Sequence, residues 1–183
     1  MVLAPATYRD VLDAPEHRVA ELIDGALYLS PRPPPRAAYA KQGLLHAIFG
    51  PFDRGEGGPG GWWTLREPEL HFGSDVLVPD LVGWRRARLP VLPEGPGIEL
   101  APDWVCEALS PVTRALDLTG KRCLYARAGV PHLWHVDYES RTLEAFALEV
   151  GAWRLVAALK DDDEVRLPPF EAIAFPLSDL WPD

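Results

Sequence analysis

Asp103-Trp104-Val105-Cys106-Glu107-Ala108-Leu109-Ser110 is an apolar run broken by a single carboxylate. It is short, rich in Trp and Val, and bounded by polar residues, so residues 102–109 read as a buried strand. A carboxylate inside such a strand needs a partner or a metal to offset its desolvation. A second apolar run, Val78-Pro79-Asp80-Leu81-Val82-Gly83-Trp84, carries Asp80. Lys121 follows Glu107 by 14 positions, in a stretch that reads as helix. Two carboxylates on neighbouring strands can hold Mg²⁺ or Mn²⁺, and an ammonium beside them can steady the anionic transition state of phosphodiester cleavage. In this reading Asp80, Glu107 and the Ala108 carbonyl are metal ligands, and Asp80, Glu107 and Lys121 are catalytic. The chain has 15 Arg and only 3 Lys, so a lysine where a compact, movable charge is useful is informative.

Outward from these runs, residues 7–16 read as a short helix with Thr7 at its N-cap. Residues 19–23 and 26–30 read as a hairpin around the two-residue turn Asp24-Gly25. Pro31-Arg32-Pro33-Pro34-Pro35 is a stiff, extended connector into an amphipathic helix over 37–49. Residues 53–61 form a glycine-rich loop without the Lys-Ser/Thr of a phosphate loop. Residues 62–72 and 76–84 read as two strands, 85–100 as a loop, 113–129 as a helix, and 132–137, 142–148 and 153–158 as three more strands. The tail ends in a short turn over 177–181. Helices and strands in this order suit an α+β fold, a central mixed sheet flanked by helices with an N-terminal hairpin.

At 183 residues, 48% of them hydrophobic, the expectation is one globular domain over 1–183, with a core over about 37–159. No run of about 18 apolar residues is present, so no membrane span is expected. The N-terminus lacks a basic start followed by an apolar block, which makes a signal peptide unexpected. Cys106 and Cys123 read as reduced core thiols of a cytoplasmic protein. Twenty prolines and the Arg excess suit a GC-rich, thermophilic source. The net charge of −9 argues against a general nucleic-acid coat. The acidity is mostly C-terminal: residues 131–183 carry four basic and eleven acidic groups, while 80–130 carry seven and six. That balance permits a nucleic-acid cleft around Asp80, Glu107 and Lys121.

Ala20-Glu21-Leu22-Ile23-Asp24-Gly25, Val78-Pro79-Asp80 and Glu107-Ala108-Leu109-Ser110-Pro111 together resemble the Uma-type family within the PD-(D/E)xK nuclease superfamily. So do Asp117, Lys121 and Tyr125, followed by Gly129-Val130-Pro131 and Trp134-His135-Val136-Asp137. The resemblance implies a restriction-endonuclease-like core, Mg²⁺ (or Mn²⁺), DNA as substrate and a homodimer. It matches Asp80 to the family's metal-binding aspartate and Glu107 to the second acidic position. Leu109 stands where the usual lysine would be, and Lys121 matches a lysine moved to the following helix. The chain departs from the pattern after the connector, where Arg36-Ala37-Ala38 stands in a region that holds a histidine in many members.

Other residues carry two readings each. Asp80 also reads as a turn cap, and Lys121 as a solvated i, i+4 partner of Asp117. Glu21 and Glu69 are accessory acidic candidates or edge carboxylates. Tyr125 faces the site or packs. Arg85, Arg86 and Arg88 are candidate DNA contacts or a solvated loop. His132 and His135 fall on opposite faces of a strand and read as packing or surface rather than a zinc pair. The leading reading is a metal-dependent DNA endonuclease. The alternative is a non-catalytic dimeric interaction or DNA-associated module that keeps the fold. A paired-carboxylate hydrolase acting on sugars is a third class, disfavoured by the lysine.

Overall fold

A computed structural model describes residues 4–182. Helix α1 is Tyr8–Leu12, opened by Asp10, whose carboxylate accepts the Thr7 backbone N–H at 2.7 Å. Strands β1 (Arg18–Ile23) and β2 (Ala26–Pro31) pair antiparallel from Arg18↔Pro31 to Ile23↔Ala26. Asp24 and Gly25 sit at φ +48° and +77°, the left-handed pair that a tight hairpin turn demands and that Asp-Gly tolerates. Helix α2 is Pro35–Ile48, starting two residues earlier than the apolar pattern alone indicates, since Pro is pre-organised for a first helical turn. It runs on as a π-helix, Phe49–Arg54, into what reads in sequence as the start of the glycine-rich loop.

Each of the two expected strands over 62–72 and 76–84 is broken in two. Residues 62–72 divide into β3 (Trp62–Arg66) and β4 (Glu69–Phe72). Residues 76–84 divide into β5 (Asp75–Leu77) and β6 (Leu81–Arg85). Pro68 and Pro79 supply no backbone N–H to a ladder, and Glu67 adopts φ +49° beside its proline. Together these four strands form one long hairpin that bends at both prolines. β3 pairs with β6 in one sheet, and β4 pairs with β5 in another. At the bend the Glu67 N–H donates to the Asp80 carbonyl at 3.2 Å.

The remaining strands of the two large sheets are β7 (Gly97–Ile98), β8 (Trp104–Leu109), β9 (His132–Asp137), β10 (Thr142–Glu149) and β11 (Ala152–Lys160), and a separate two-stranded ribbon pairs β12 (Glu164–Val165) with β13 (Phe175–Pro176). The six-stranded sheet has the order β11-β10-β9-β8-β6-β3, and the five-stranded sheet β2-β1-β5-β4-β7. β8 is central and parallel to β9, and all six of its residues are buried, which accounts for its continuous apolar run. On one face Trp104 and Trp134 pack with Leu44, Ile48 and Phe170. On the other, Val82, Val105 and Leu133 pack with Leu124 and Tyr125. Burying such side chains contributes about 1.5–3 kcal/mol each.

Leu124 and Tyr125 belong to the helix after β8, built from α3 (Arg114–Leu116), a π segment (Asp117–Lys121) and α4 (Arg122–Ala128). The widened turn leaves Asp117, Lys121 and Tyr125 all buried on the sheet-facing side. Cys123 points outward and is exposed, because Leu124 and Tyr125 take the inward positions; only Cys106 is a core thiol. No helix among the described residues is long and apolar enough to cross a membrane.

Candidate active site

The bend between the sheets brings the end of β8 against the start of β6. Glu107 faces the helix side, and Lys121 reaches down to it with Nζ 2.8 Å from Oε1. The same ammonium lies 3.0 Å from Glu21 on β1 and 3.5 Å from Asp117 one turn back. The Tyr125 hydroxyl donates to Glu107 Oε1 at 2.5 Å. Glu107 and Lys121 are 1% and 3% exposed, so this is an interior ion cluster and not a surface pair.

Asp80 sits on the other side of Glu107. Its backbone N–H points to Glu107 Oε2 at 3.4 Å, while its own Oδ2 accepts the Ala108 N–H at 2.6 Å. The two carboxylates are thus cross-linked through each other's strands. A second lysine, Lys41 of α2, approaches from the opposite face of the sheet. Its Nζ lies 2.8 Å from Asp80 and 2.6 Å from Glu67. Each helix layer therefore sends one lysine to the same edge of the central sheet.

Electrostatics differ between the halves. Burial pushes the Glu107 carboxyl up to about 8; Asp117, Asp80 and Glu21 add to this, and Lys121 opposes it. Burial raises Asp117 as well. Burial works against the Lys121 charge, yet Glu107, Glu21, Tyr125 and Asp117 outweigh it and hold the ammonium well above the usual lysine range. Burial likewise opposes the Lys41 charge, but Asp80 and Glu67 leave it raised overall. Glu67 is lowered, because Lys41 outweighs its burial. Five carboxylates against two ammoniums leave an excess of negative charge, and Glu107 bears most of that strain.

Asp80, Glu107, Lys121, Glu21 and Tyr125 are thus gathered in one cluster. Glu69 is not: it accepts from the Tyr8 hydroxyl at 2.8 Å and pairs with His71. The bend at Pro68 turns Glu67, not Glu69, toward Asp80. Arg85 closes the other end of β6 and Arg86 and Arg88 lie past it, about 17 Å or more along the strand from Asp80. Arg86 donates to the Trp62 carbonyl and Asp53, Arg88 pairs with Asp103, and Arg85 stacks on Trp62. His135 is buried against Phe146 with neither ring nitrogen hydrogen-bonded, and burial keeps it neutral with a pKa of about 3. Lys41 and Glu67 are site residues that sequence reasoning passed over. The scarcity of lysine was a signal for Lys41, since two of the three lysines stand in this cluster.

A cavity of about 550 Å³ opens onto the cluster, lined by Glu21, Glu67, Asp80, Glu107, Ala108, Asp117 and Lys121. Among the described residues, no group of three or more His, Cys, Asp or Glu forms a cage that would hold a metal by itself. The donor chemistry nevertheless fits Mg²⁺, which is commonly held by one or two carboxylates with waters and substrate phosphates. Asp80 and Glu107 are two such carboxylates, locked in place by backbone N–H groups and open to the cavity.

A family model described as "Uma2: Putative restriction endonuclease" matches residues 5–178. Comparison with curated proteins returns no match. Among solved structures, a "putative nuclease belonging to DUF820" from Anabaena variabilis ATCC 29413 matches with a TM-score of 0.75. It is 22% identical, and the match covers 96% of this chain and 97% of that one. The likeness establishes the fold: mixed sheets with few flanking helices, α+β, of the restriction-endonuclease-like kind.

Proposed function

The chain belongs to the Uma2 family, and from that membership and the site geometry we propose that it is a divalent-cation-dependent nuclease hydrolysing DNA phosphodiesters. The observation that carries this reading is the convergence of Asp80, Glu107 and Lys121 at the floor of one cavity. Asp80 and Glu107 would hold Mg²⁺ or Mn²⁺, with the Ala108 carbonyl as a third ligand. The bound cation supplies charge neutralisation at the phosphate and activation of water. Lys121, fixed by Glu21, Glu107 and Asp117, offers its ammonium to charge developing on the phosphoryl oxygens. Tyr125 orients Glu107, and Lys41 orients Asp80. In the overall step a water oxygen bonds to phosphorus and the bond to the leaving sugar oxygen breaks. That oxygen takes up a proton, and the second product keeps the phosphate.

The test is plasmid cleavage by the full chain with Mg²⁺ or Mn²⁺, beside Asp80→Ala and Lys121→Ala. Each variant is expected to lose at least about 100-fold in rate. Equal cleavage by all three proteins points to a contaminant and sinks the assignment.

One observation favours the alternative of a non-catalytic module: both lysines are already saturated by carboxylates. Calorimetric Mn²⁺ titration separates the two readings. A single site abolished by Asp80→Ala supports the nuclease, and no binding supports the module.

A further inference from the structure

The cavity above the carboxylates limits what can reach them. At about 550 Å³ it falls within the range of about 300–1,000 Å³ that encloses a small molecule. The floor is the charged cluster, and the walls include Val19, Pro31, Pro35, Val112 and Tyr138. Glu107 and Lys121 lie below the surface, so a phosphate has to descend to meet them. A duplex carries its phosphates on the outside of a stiff rod with a persistence length of about 50 nm. It can lower a nucleotide into such a pocket only by unpairing it, which costs a few kcal/mol. A strand that is already unpaired meets no such cost.

The charges agree with this geometry. Strong duplex binding rests on about 6–10 phosphate contacts. The chain carries a net −9, and Lys41 and Lys121 are neutralised within the cluster. At the cavity the remaining cations are Arg32 and Arg36, and among the described residues neither enters an ion pair. Two arginines suit the few phosphates of a short flexible segment. The wall beside them is the proline connector, whose stiffness presets its shape.

We propose that this site takes single-stranded DNA. One nucleotide lies against the proline wall with its phosphate over Asp80 and Glu107, and the flanking phosphates rest on Arg32 and Arg36. The proposal builds on the nuclease reading and narrows it to the substrate class.

The experiment compares a labelled short oligonucleotide with a blunt duplex of the same sequence, by fluorescence anisotropy and by cleavage, using the full chain in Mg²⁺ or Mn²⁺. The single strand is expected to bind and to be cut at least about tenfold better. Its affinity should fall with salt at a log–log slope near −1.4, about 0.7 for each of two phosphates. Arg32→Glu/Arg36→Glu, checked for native circular dichroism, should weaken binding by at least about tenfold and flatten that slope. The proposal is overturned if the duplex is bound or cut as well as the single strand, if the double variant keeps both affinity and slope, or if neither DNA binds. Equal cleavage of both DNAs leaves the nuclease reading standing and removes only this inference. Strand-selective binding without cleavage does the reverse: the occupant stands and the nuclease reading falls.

Discussion

Replacing Glu107 by Gln tests the electrostatic account of the site without touching its shape. The carboxyl is pushed up from 4.5 to about 8, first by burial, and Gln keeps an oxygen to accept from Tyr125. A carboxyl whose folded pKa is raised binds more protons in the native state than in the unfolded chain. Its presence therefore lowers stability as pH climbs from the unfolded pKa to the folded one. Most of the rise lies below pH 6.5, where other groups titrate too. His135, held neutral by burial, gains stability as pH rises to about 6.5 and adds nothing to the slope above it. Lys121 stays charged throughout, since its pKa lies well above 10.5. Between pH 6.5 and 8.5, in metal-free buffer, the Glu107 carboxyl should cost the wild type about 2 kcal/mol, at about 1.4 kcal/mol per pKa unit. Urea unfolding at the two pH values measures it. Glu107→Gln should become more stable relative to wild type by about that amount from the lower pH to the higher. Parallel stability curves for the two proteins would refute the raised pKa and the excess negative charge it reports.

The same proton links to metal binding. Mn²⁺ at a fixed concentration, about 100 times its dissociation constant at pH 8.5, adds about 2.7 kcal/mol of stability there. Its thermal shift should be larger at pH 8.5 than at 6.5, because Glu107 must lose its proton to bind. Equal shifts at both pH values would remove Glu107 from the ligand set. Lys41→Met leaves Asp80 and Glu67 without their cation. Breaking a buried pair costs about 3–5 kcal/mol. The two carboxylate side chains are 22% and 30% exposed, which brings the expected loss to about 2–3 kcal/mol in urea unfolding. Adding Glu67→Gln should restore about 1 kcal/mol, and strict additivity in this cycle would show that the pair is uncoupled. Tyr125→Phe removes a donor from Glu107 and should cost about 1.5–3 kcal/mol, more at pH 8.5 than at 6.5; a loss independent of pH would mean that the hydroxyl serves packing alone.

What could be read before folding was chemical, and what could not was directional. Glu107 stood out because a carboxylate in an apolar strand needs a reason, and Lys121 because lysine is rare here. The strand breaks were visible only as Pro68 and Pro79, which period-two alternation overrides unless each proline is allowed to demote its strand. Choosing between Glu67 and Glu69 depended on which side of that bend each residue falls, and the pattern was silent on it. Lys41 had a sharper signal. Ala37, Lys41, Leu44 and Ile48 follow the i, i+4, i+7, i+11 spacing of one buried stripe, and all four are buried. A lysine inside that stripe cannot be a solvated one.

The bend also explains why the chemistry sits where it does. A strand passing from one sheet to another must interrupt its ladder, which leaves backbone N–H groups without sheet partners. Three N–H groups at this corner instead serve carboxylates: Val78 donates to Glu21, Asp80 to Glu107, and Ala108 to the Asp80 side chain. The irregularity that hid the site from strand-based reading therefore supplies the donors that hold three of its carboxylates in place.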